Sequence, residues 1–143
     1  PEMDINEIIH FSNDYMFNLP KNMDIVLWLW TTNKFMHDAY HILEAWDFEP
    51  KSILVWNKEK MGIGEWLRVQ TEYAILAVRG RPEWNCTNQR NIISSPRREH
   101  SRKPAEFYKL VEELSPNTKE RIDIFGREKR VGWKIYGNDT EKY

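Results

Sequence analysis

DIVLWLW, residues 24–30, is a nearly continuous apolar run of β-forming side chains. A run of this kind reads as a strand buried on both faces. Its neighbours decide the sheet it enters. NKFMHDAYHILEAW, 33–46, places Phe35, Met36, Ala39, Ile42, Leu43 and Trp46 at helical spacing. SILVWNK, 52–58, and EYAILAVRG, 72–80, are two more apolar strands, and NIIS, 91–94, is a short one. ERIDIFG, 120–126, is another strand, ending in Gly126, and GWKIYGN, 132–138, reads as a last short one. Asp4 followed by Glu7 marks a capped helix start running to Phe11. EKMGIGEW, 59–66, with two glycines and mixed charge, reads as a mobile loop. Apolar strands separated by helices predict an α/β sheet with helices on both faces. In such sheets ligands sit beyond the carboxyl ends of the strands. The residues just after each strand are Thr31 to Asn33, Asn57 and Lys58, Arg79, Ser94 to Lys103, and Gly126 to Arg130, a polar set rich in cations.

The segment PRREHSRKPAEFYKLVEEL, 96–114, poses an electrostatic question. From Lys103 onward it reads as a helix, with Pro104 at its first position and Phe107, Leu110, Val111 and Leu114 forming one apolar stripe. A helix N-terminus carries partial positive charge and favours acidic neighbours. Here it meets Arg97, Arg98, His100, Arg102 and Lys103. Either these cations splay into water or an anion belongs among them.

Bulk properties narrow the classes. With 143 residues the chain can bury a real core, and a net charge of −1 excludes a generally basic nucleic-acid coat. Any nucleic-acid contact must come from a local patch. The lone Cys86 excludes an internal disulfide. No apolar run approaches the roughly 18 to 20 residues that span a bilayer. Seven Trp residues are many for this length; several must be core, and one or two exposed ones would suit stacking on a base. The first residue is Pro1, so the domain is expected to be N-terminally incomplete.

Several chemistries lack their signatures. His37 and His41 lie i, i+4 but no third metal ligand accompanies them. There is no G-x-S-x-G elbow and no Walker phosphate loop. IDIFGR, 122–127, is weak by itself, because many strands end in glycine.

Taken with SRKPAEFY, 101–108, and GWKIYGND, 132–139, in that order, it resembles the C-terminal part of the adenine-N6 methyltransferase family of the eukaryotic mRNA-adenosine writer (MT-A type). Bacterial, phage and ciliate DNA adenine methyltransferases belong to the same family. The resemblance extends upstream. Pro1 to Ile8 is similar to the family's P-x-M-x-x-x-E-I segment, and VLWLWTTN, 26–33, to its aromatic–Trp–x–T strand end. EAWDFEPKSILVWNK, 44–58, resembles its E-x-W-G-F helix end and W-x-K strand, with Asp47 in place of the glycine. EWLRVQTEYAILAVRGRP, 65–82, resembles its loop and E-x-x-[LI]-x-x-x-[KR]-G strand. The family's catalytic D-P-P-[WFY] motif is absent from these residues; in relatives it lies just upstream of the segment like Pro1 to Met3.

The resemblance implies a Rossmann-like methyltransferase sheet in a single domain over 1–143. It implies methyl transfer from S-adenosylmethionine to the exocyclic N6 of adenine in DNA or RNA, with the catalytic residues upstream of this chain. Lys103 matches the lysine that faces the cofactor's methionine carboxylate, and Arg127 and Arg130 fall where relatives hold the cofactor ribose. Asn138 matches an asparagine near the cofactor adenosine, followed here by Asp139 in place of Glu or Gln. Arg97, Arg98 and Arg102 lie in the family's gate loop, within reach of substrate phosphates, and Glu72 matches an acidic residue near the active site. Trp56 is expected in the core. The 59–70 loop corresponds to the one that meets a partner subunit, giving a homo- or heterodimer. The lack of long accessory extensions in this window tilts the expectation toward a DNA enzyme of bacterial or phage-infected cytoplasm; a eukaryotic member would be nuclear. The alternatives are an RNA adenosine methyltransferase and a non-catalytic nucleic-acid-binding partner subunit, although such partners usually lose the cofactor residues that persist here.

Overall fold

The computed structural model describes residues 19–20, 22–86, 88–99, 102–124 and 128–136. The expected helix at 4–11 lies outside them. The chain forms two compact units.

The larger unit holds strand β1 (Ile25–Thr31), helix α1 (Met36–Ala45), and strands β2 (Glu49–Asn57), β3 (Thr71–Arg79) and β4 (Ile92–Ser94). The strands form one sheet in the order β1-β3-β2-β4. β3 runs antiparallel to both β1 and β2, and β4 runs parallel to β2. The sheet is therefore mixed. The cause is the 59–70 connection: a loop without a helix returns the chain beside β2 in the opposite direction, as antiparallel pairing permits. β1 and β2 still point the same way, each antiparallel to the strand between them. β1 is an edge strand of this sheet, which explains why Ile25 to Trp30 are only half-buried and not enclosed on both faces.

Alternation divides β1 into two sets. Ile25, Leu27 and Leu29 pack toward the cluster of Ala39, Ile42, Leu43 and Trp46 from α1, joined by Phe48, Ile75 and Ala77. The opposite face carries tryptophan, with the Trp30 ring meeting Trp56 edge-on at 6.0 Å. Trp56 is fully buried, as expected, and its Nε1 donates to the Ser95 carbonyl at 2.9 Å. β2 begins three residues earlier than its apolar pattern suggests. Pro50 is tolerated because β4 covers only Val55 to Asn57, and the register shifts between Pro50 and Ser52.

α1 ends in a left-handed residue. Asp47 has φ 61°, the Phe48 N–H bonds the Leu43 carbonyl at 2.9 Å, and the Asp47 N–H bonds that of Glu44 at 3.1 Å. This is a Schellman cap, whose central position favours glycine.

The smaller unit holds helix α2 (Ala105–Leu114), strands β5 (Arg121–Ile124) and β6 (Trp133–Tyr136), and residues 83–86. β5 and β6 pair in parallel, Arg121 opposite Trp133. α2 buries Phe107, Leu110, Val111 and Leu114, the stripe its spacing predicts. Pro104 is the N-cap and not the first helical residue: its ψ of 144° is extended. The helix starts one residue later than expected, and no side chain caps it. Its far end is tied down by Asn85, whose N–H bonds the Leu114 carbonyl at 2.9 Å and whose Nδ2 bonds that of Glu113 at 3.3 Å.

Candidate functional site

Each unit gathers polar side chains around strand ends. In the larger unit the antiparallel course of β3 changes which residues share an edge. Thr31 lies opposite Tyr73, Trp56 opposite Glu72, and Asn57 opposite both Thr71 and Ser94. Glu72, at the start of β3, therefore joins the carboxyl ends of β1, β2 and β4. Arg79 leaves that edge, because it pairs with Ile25 at the other end of the sheet. There its guanidinium stacks on Phe48 at 4.6 Å and donates to the Trp46 carbonyl at the C-terminus of α1. A cation suits the negative end of a helix, so Arg79 serves the fold.

Glu72 forms an ion pair with Lys58 at 2.9 Å, with the two side chains only 13% and 17% exposed. Lys58 also lies 5.5 Å from the centre of the Trp56 ring. The pair clamps the base of the 59–70 loop. Asn57 Oδ1 accepts from Gln70 Nε2 and from the Glu59 N–H, each at 3.0 Å, and the Lys58 N–H bonds the Gln70 carbonyl at 2.9 Å. A further bond, from the Gly62 N–H to the Val69 carbonyl at 2.7 Å, draws the two arms of the loop together. The loop thus has a hydrogen-bonded stem. Its tip presents Met61, Ile63, Trp66 and Leu67, with Trp66 95% exposed. Four large apolar side chains on one braced loop thus lie in solvent.

The smaller unit answers the question set by its basic segment. Arg102 grips Glu128 with two donors, Nε to Oε2 at 3.1 Å and Nη2 to Oε1 at 2.7 Å. Arg130 Nη2 reaches the same Oε2 at 2.7 Å, and Arg98 Nη2 lies 3.6 Å from it. Arg102 Nη1 also pairs with Glu99 at 2.8 Å. The Arg102 hydrogen bond holds the Glu128 carboxyl below the usual glutamate range, and Arg130 and Arg98 add to the effect. Arg97 is exposed and engages none of these carboxylates. Two of the three gate-loop arginines are thus brought together with Arg130, while Arg97 stands apart.

Arg130 also stacks on Tyr108, 3.6 Å from the ring centre, and the Tyr108 hydroxyl donates to Asp123 Oδ2 at 2.9 Å. Burial pushes the Asp123 carboxyl up, while the Tyr108 hydroxyl, Arg130 and Lys103 act in the opposite direction. Trp133 completes the wall. It meets Tyr108 edge-on at 5.4 Å and donates Nε1 to Glu112 at 3.0 Å. Lys103 is half-buried beside the uncapped start of α2, and its carbonyl accepts from Arg98 Nη1 at 3.1 Å. Arg127, Asn138 and Asp139 lie outside the described residues. Lys103, Asp123 and Arg130 therefore form one electrostatic group, and Glu128 links Arg130 to Arg98 and Arg102. Asp123, Tyr108 and Glu128 escaped the sequence reading. The only available signal was one carboxylate amid cations in Arg127–Arg130.

The residues present fit an anionic or zwitterionic ligand. The first turn of α2 leaves backbone N–H groups without a side-chain cap, a lysine adjoins them, and Arg130 Nε is buried with no hydrogen-bond partner.

The MT-A70 family model matches residues 10–139. A Medicago truncatula protein named as a putative N(6)-adenosine-methyltransferase, MT-A70-like, is 31% identical over 79% of this chain and 20% of its own length. The human N(6)-adenosine-methyltransferase catalytic subunit METTL3 is 30% identical over 82% of this chain and 22% of its own. The type II methyltransferase M.MunI of Mycoplasma sp is 29% identical over 80% of this chain and 50% of its own. The chain spans about a fifth of the plant and human relatives and half of M.MunI. The match runs through both units, and with it the chain belongs to the MT-A70 family of adenine-N6 methyltransferases.

Proposed function

We propose that the protein transfers a methyl group from S-adenosylmethionine to N6 of adenine in nucleic acid, with DNA as the first substrate class and RNA as the alternative. The observation that carries this reading is Lys103 beside the uncapped N-terminus of α2, in a chain of the MT-A70 family. Lys103 and the α2 N–H groups would hold the cofactor's carboxylate, a charge-assisted arrangement. Arg130, Arg127, Asn138 and Asp139 would lie along its ribose and adenosine. S-adenosylmethionine, when bound, supplies the electrophilic methyl group. The protein's contribution is to orient the adenine amino group against it and exclude water. A base within a duplex has to be flipped out first. The catalytic D-P-P-[WFY] segment of relatives is not among residues 1–143, so the reading concerns the complete polypeptide.

Three finer parts belong to the same proposal. Within the larger unit, the two strands β1 and β2, which point the same way and are joined through α1, support a Rossmann-like layout. The apolar tip of the 59–70 loop supports docking of a second methyltransferase subunit, the same chain or a relative. Among the described residues no helix is long and apolar enough to cross a membrane. As a DNA enzyme the protein would work in the cytoplasm of a bacterial or phage-infected cell, and as a eukaryotic member in the nucleus.

The test is direct. Incubation with labelled S-adenosylmethionine and matched DNA and RNA oligonucleotides, followed by nucleoside mass spectrometry, should yield N6-methyladenine. Label on cytosine, or on protein alone, contradicts the reading. The relatives named as N(6)-adenosine-methyltransferases and the type II methyltransferase M.MunI are both similar to this chain, so the assay runs both nucleic acids side by side.

A further inference from the structure

Helix α2 is charged against its dipole at both ends. Its start adjoins Lys103, and its last turn carries Glu112 and Glu113 with no basic residue. A helix C-terminus bears partial negative charge and favours a cation. Beside that end the smaller unit opens a cleft of about 440 Å³, lined among the described residues by Glu83, Trp84, Asn85, Pro116 and Asn117. All five are exposed, so a ligand reaches them from solvent. Hydrogen bonds within the unit orient both amides by their nitrogens. Asn117 Nδ2 donates to Glu83 Oε2 at 3.1 Å, and Asn85 Nδ2 donates to the Glu113 carbonyl at 3.3 Å. Among the described residues, no donor is bound to either amide oxygen or to Glu83 Oε1. The lining therefore keeps three acceptors and one negative charge, with no cation among its described members.

We propose that this cleft binds an arginine side chain of a partner protein, its guanidinium held by Glu83 and by the amide oxygens of Asn85 and Asn117, between walls given by Trp84 and Pro116. The match is one of charge and of donor count. A guanidinium is a planar cation with about five donors and no acceptor, and the cleft offers acceptors. An aromatic wall, here 39% exposed, suits its flat face. Other occupants fit less well. A nucleic acid brings phosphates that the Glu83 carboxylate repels. A metal ion needs a denser ligand set, and among the described residues no group of three or more His, Cys, Asp or Glu is placed to hold one. Free arginine carries a carboxylate of its own, which a chain-borne arginine lacks. α2 has 10 residues and is about 15 Å long. A partner gripped at its C-terminal end leaves Lys103 clear at the other, so this site stands apart from cofactor binding.

The experiment titrates small probes into the isotope-labelled complete protein and follows the side-chain amide resonances of Asn85 and Asn117 by NMR. The capped peptide Gly-Arg-Gly should shift both saturably. The same peptide with citrulline, which keeps the shape of arginine but is neutral, should bind about fivefold more weakly, the scale of one solvent-exposed charge contact. The lysine peptide and free L-arginine should also bind more weakly than the capped arginine peptide. Glu83→Gln, which can still accept from Asn117, should weaken the arginine peptide about fivefold. Asn117→Ala should shift affinity in the same direction and guards against a folding defect at Glu83, with circular dichroism confirming that each variant is folded. Affinity for S-adenosylmethionine should stay level in both variants. No saturable shift in the wild type, equal binding of the citrulline and arginine peptides, or unchanged affinity in Glu83→Gln overturns the site. Lysine binding as tightly as arginine overturns the guanidinium assignment, and tighter binding of free arginine overturns the protein source. Saturable shifts of the same amides by a single-stranded oligonucleotide give the cleft to nucleic acid and overturn the proposal.

Discussion

Tyr108 donates its hydroxyl to Asp123 at 2.9 Å, and that bond joins α2 to β5 within the smaller unit. It is also one of the forces that keep a buried carboxyl from drifting further upward. Tyr108→Phe leaves a buried acceptor without this donor and keeps the ring on which Arg130 stacks. The expected loss is about 1–3 kcal/mol of stability by denaturant titration. The hydrogen bond favours the ionised carboxylate, so the loss should grow as pH rises through the raised Asp123 pKa and shrink in acid, where Asp123 is protonated in both states. A loss independent of pH would separate Tyr108 from Asp123.

The Lys58–Glu72 pair at the mouth of the 59–70 loop makes a different prediction. Both side chains are mostly buried, so removing Lys58 takes the ion-pair partner from a carboxylate with little solvent access. Lys58→Met should cost about 1–3 kcal/mol, below the range for a fully buried pair because some solvent reaches this one. The double variant Lys58→Met/Glu72→Leu should recover much of that. A double-mutant cycle by thermal unfolding reads the coupling.

Asp47 adopts φ 61° at the Schellman cap of α1. A side chain there carries a backbone cost that glycine lacks. Asp47→Gly should raise stability by about 0.5–1 kcal/mol, with calorimetric unfolding as the measurement. A destabilised variant would mean that the aspartate side chain makes a compensating contact.

The Glu128 cluster links stability to acid. Glu128 titrates below its ordinary value in the folded chain, through Arg102 first. Its contribution is thus fully present above the unfolded glutamate pKa and is lost as pH falls through the lower folded value. The wild-type protein should lose stability progressively below about pH 4.5, and Glu128→Gln should flatten that part of the profile in equilibrium unfolding. An unchanged acid limb would place the ion pairs outside the folded-state energetics.

The sequence was most legible where one period dominated. The α2 stripe of Phe107, Leu110, Val111 and Leu114, the buried Ala39, Ile42 and Leu43 of α1 and the burial of Trp56 all followed from local patterning, whereas Phe35, grouped with the α1 pattern, is the exposed N-cap and the helix starts at Met36. Strand direction was not legible. VLWLW and AILAV look alike, and only the helix-free loop between β2 and β3 turns the latter antiparallel. That reversal carried Glu72 onto the ligand edge and Arg79 off it. Long-range charge pairing was equally hidden. Glu128 meets Arg98 and Arg102 across about 26 to 30 residues, a distance at which hydrophobic patterning carries no information. Pro104 slipped by one position because an extended ψ at the cap leaves no trace in composition.

Lys103 and the start of α2 are proposed above to hold the cofactor's carboxylate. The most direct measurement is calorimetric titration of S-adenosylmethionine into the complete polypeptide and its Lys103→Ala variant. The account predicts saturable binding by the wild type and a loss of about 1.5–3 kcal/mol in the variant, as for a charge-assisted hydrogen bond. Equal affinity in the two proteins would contradict it.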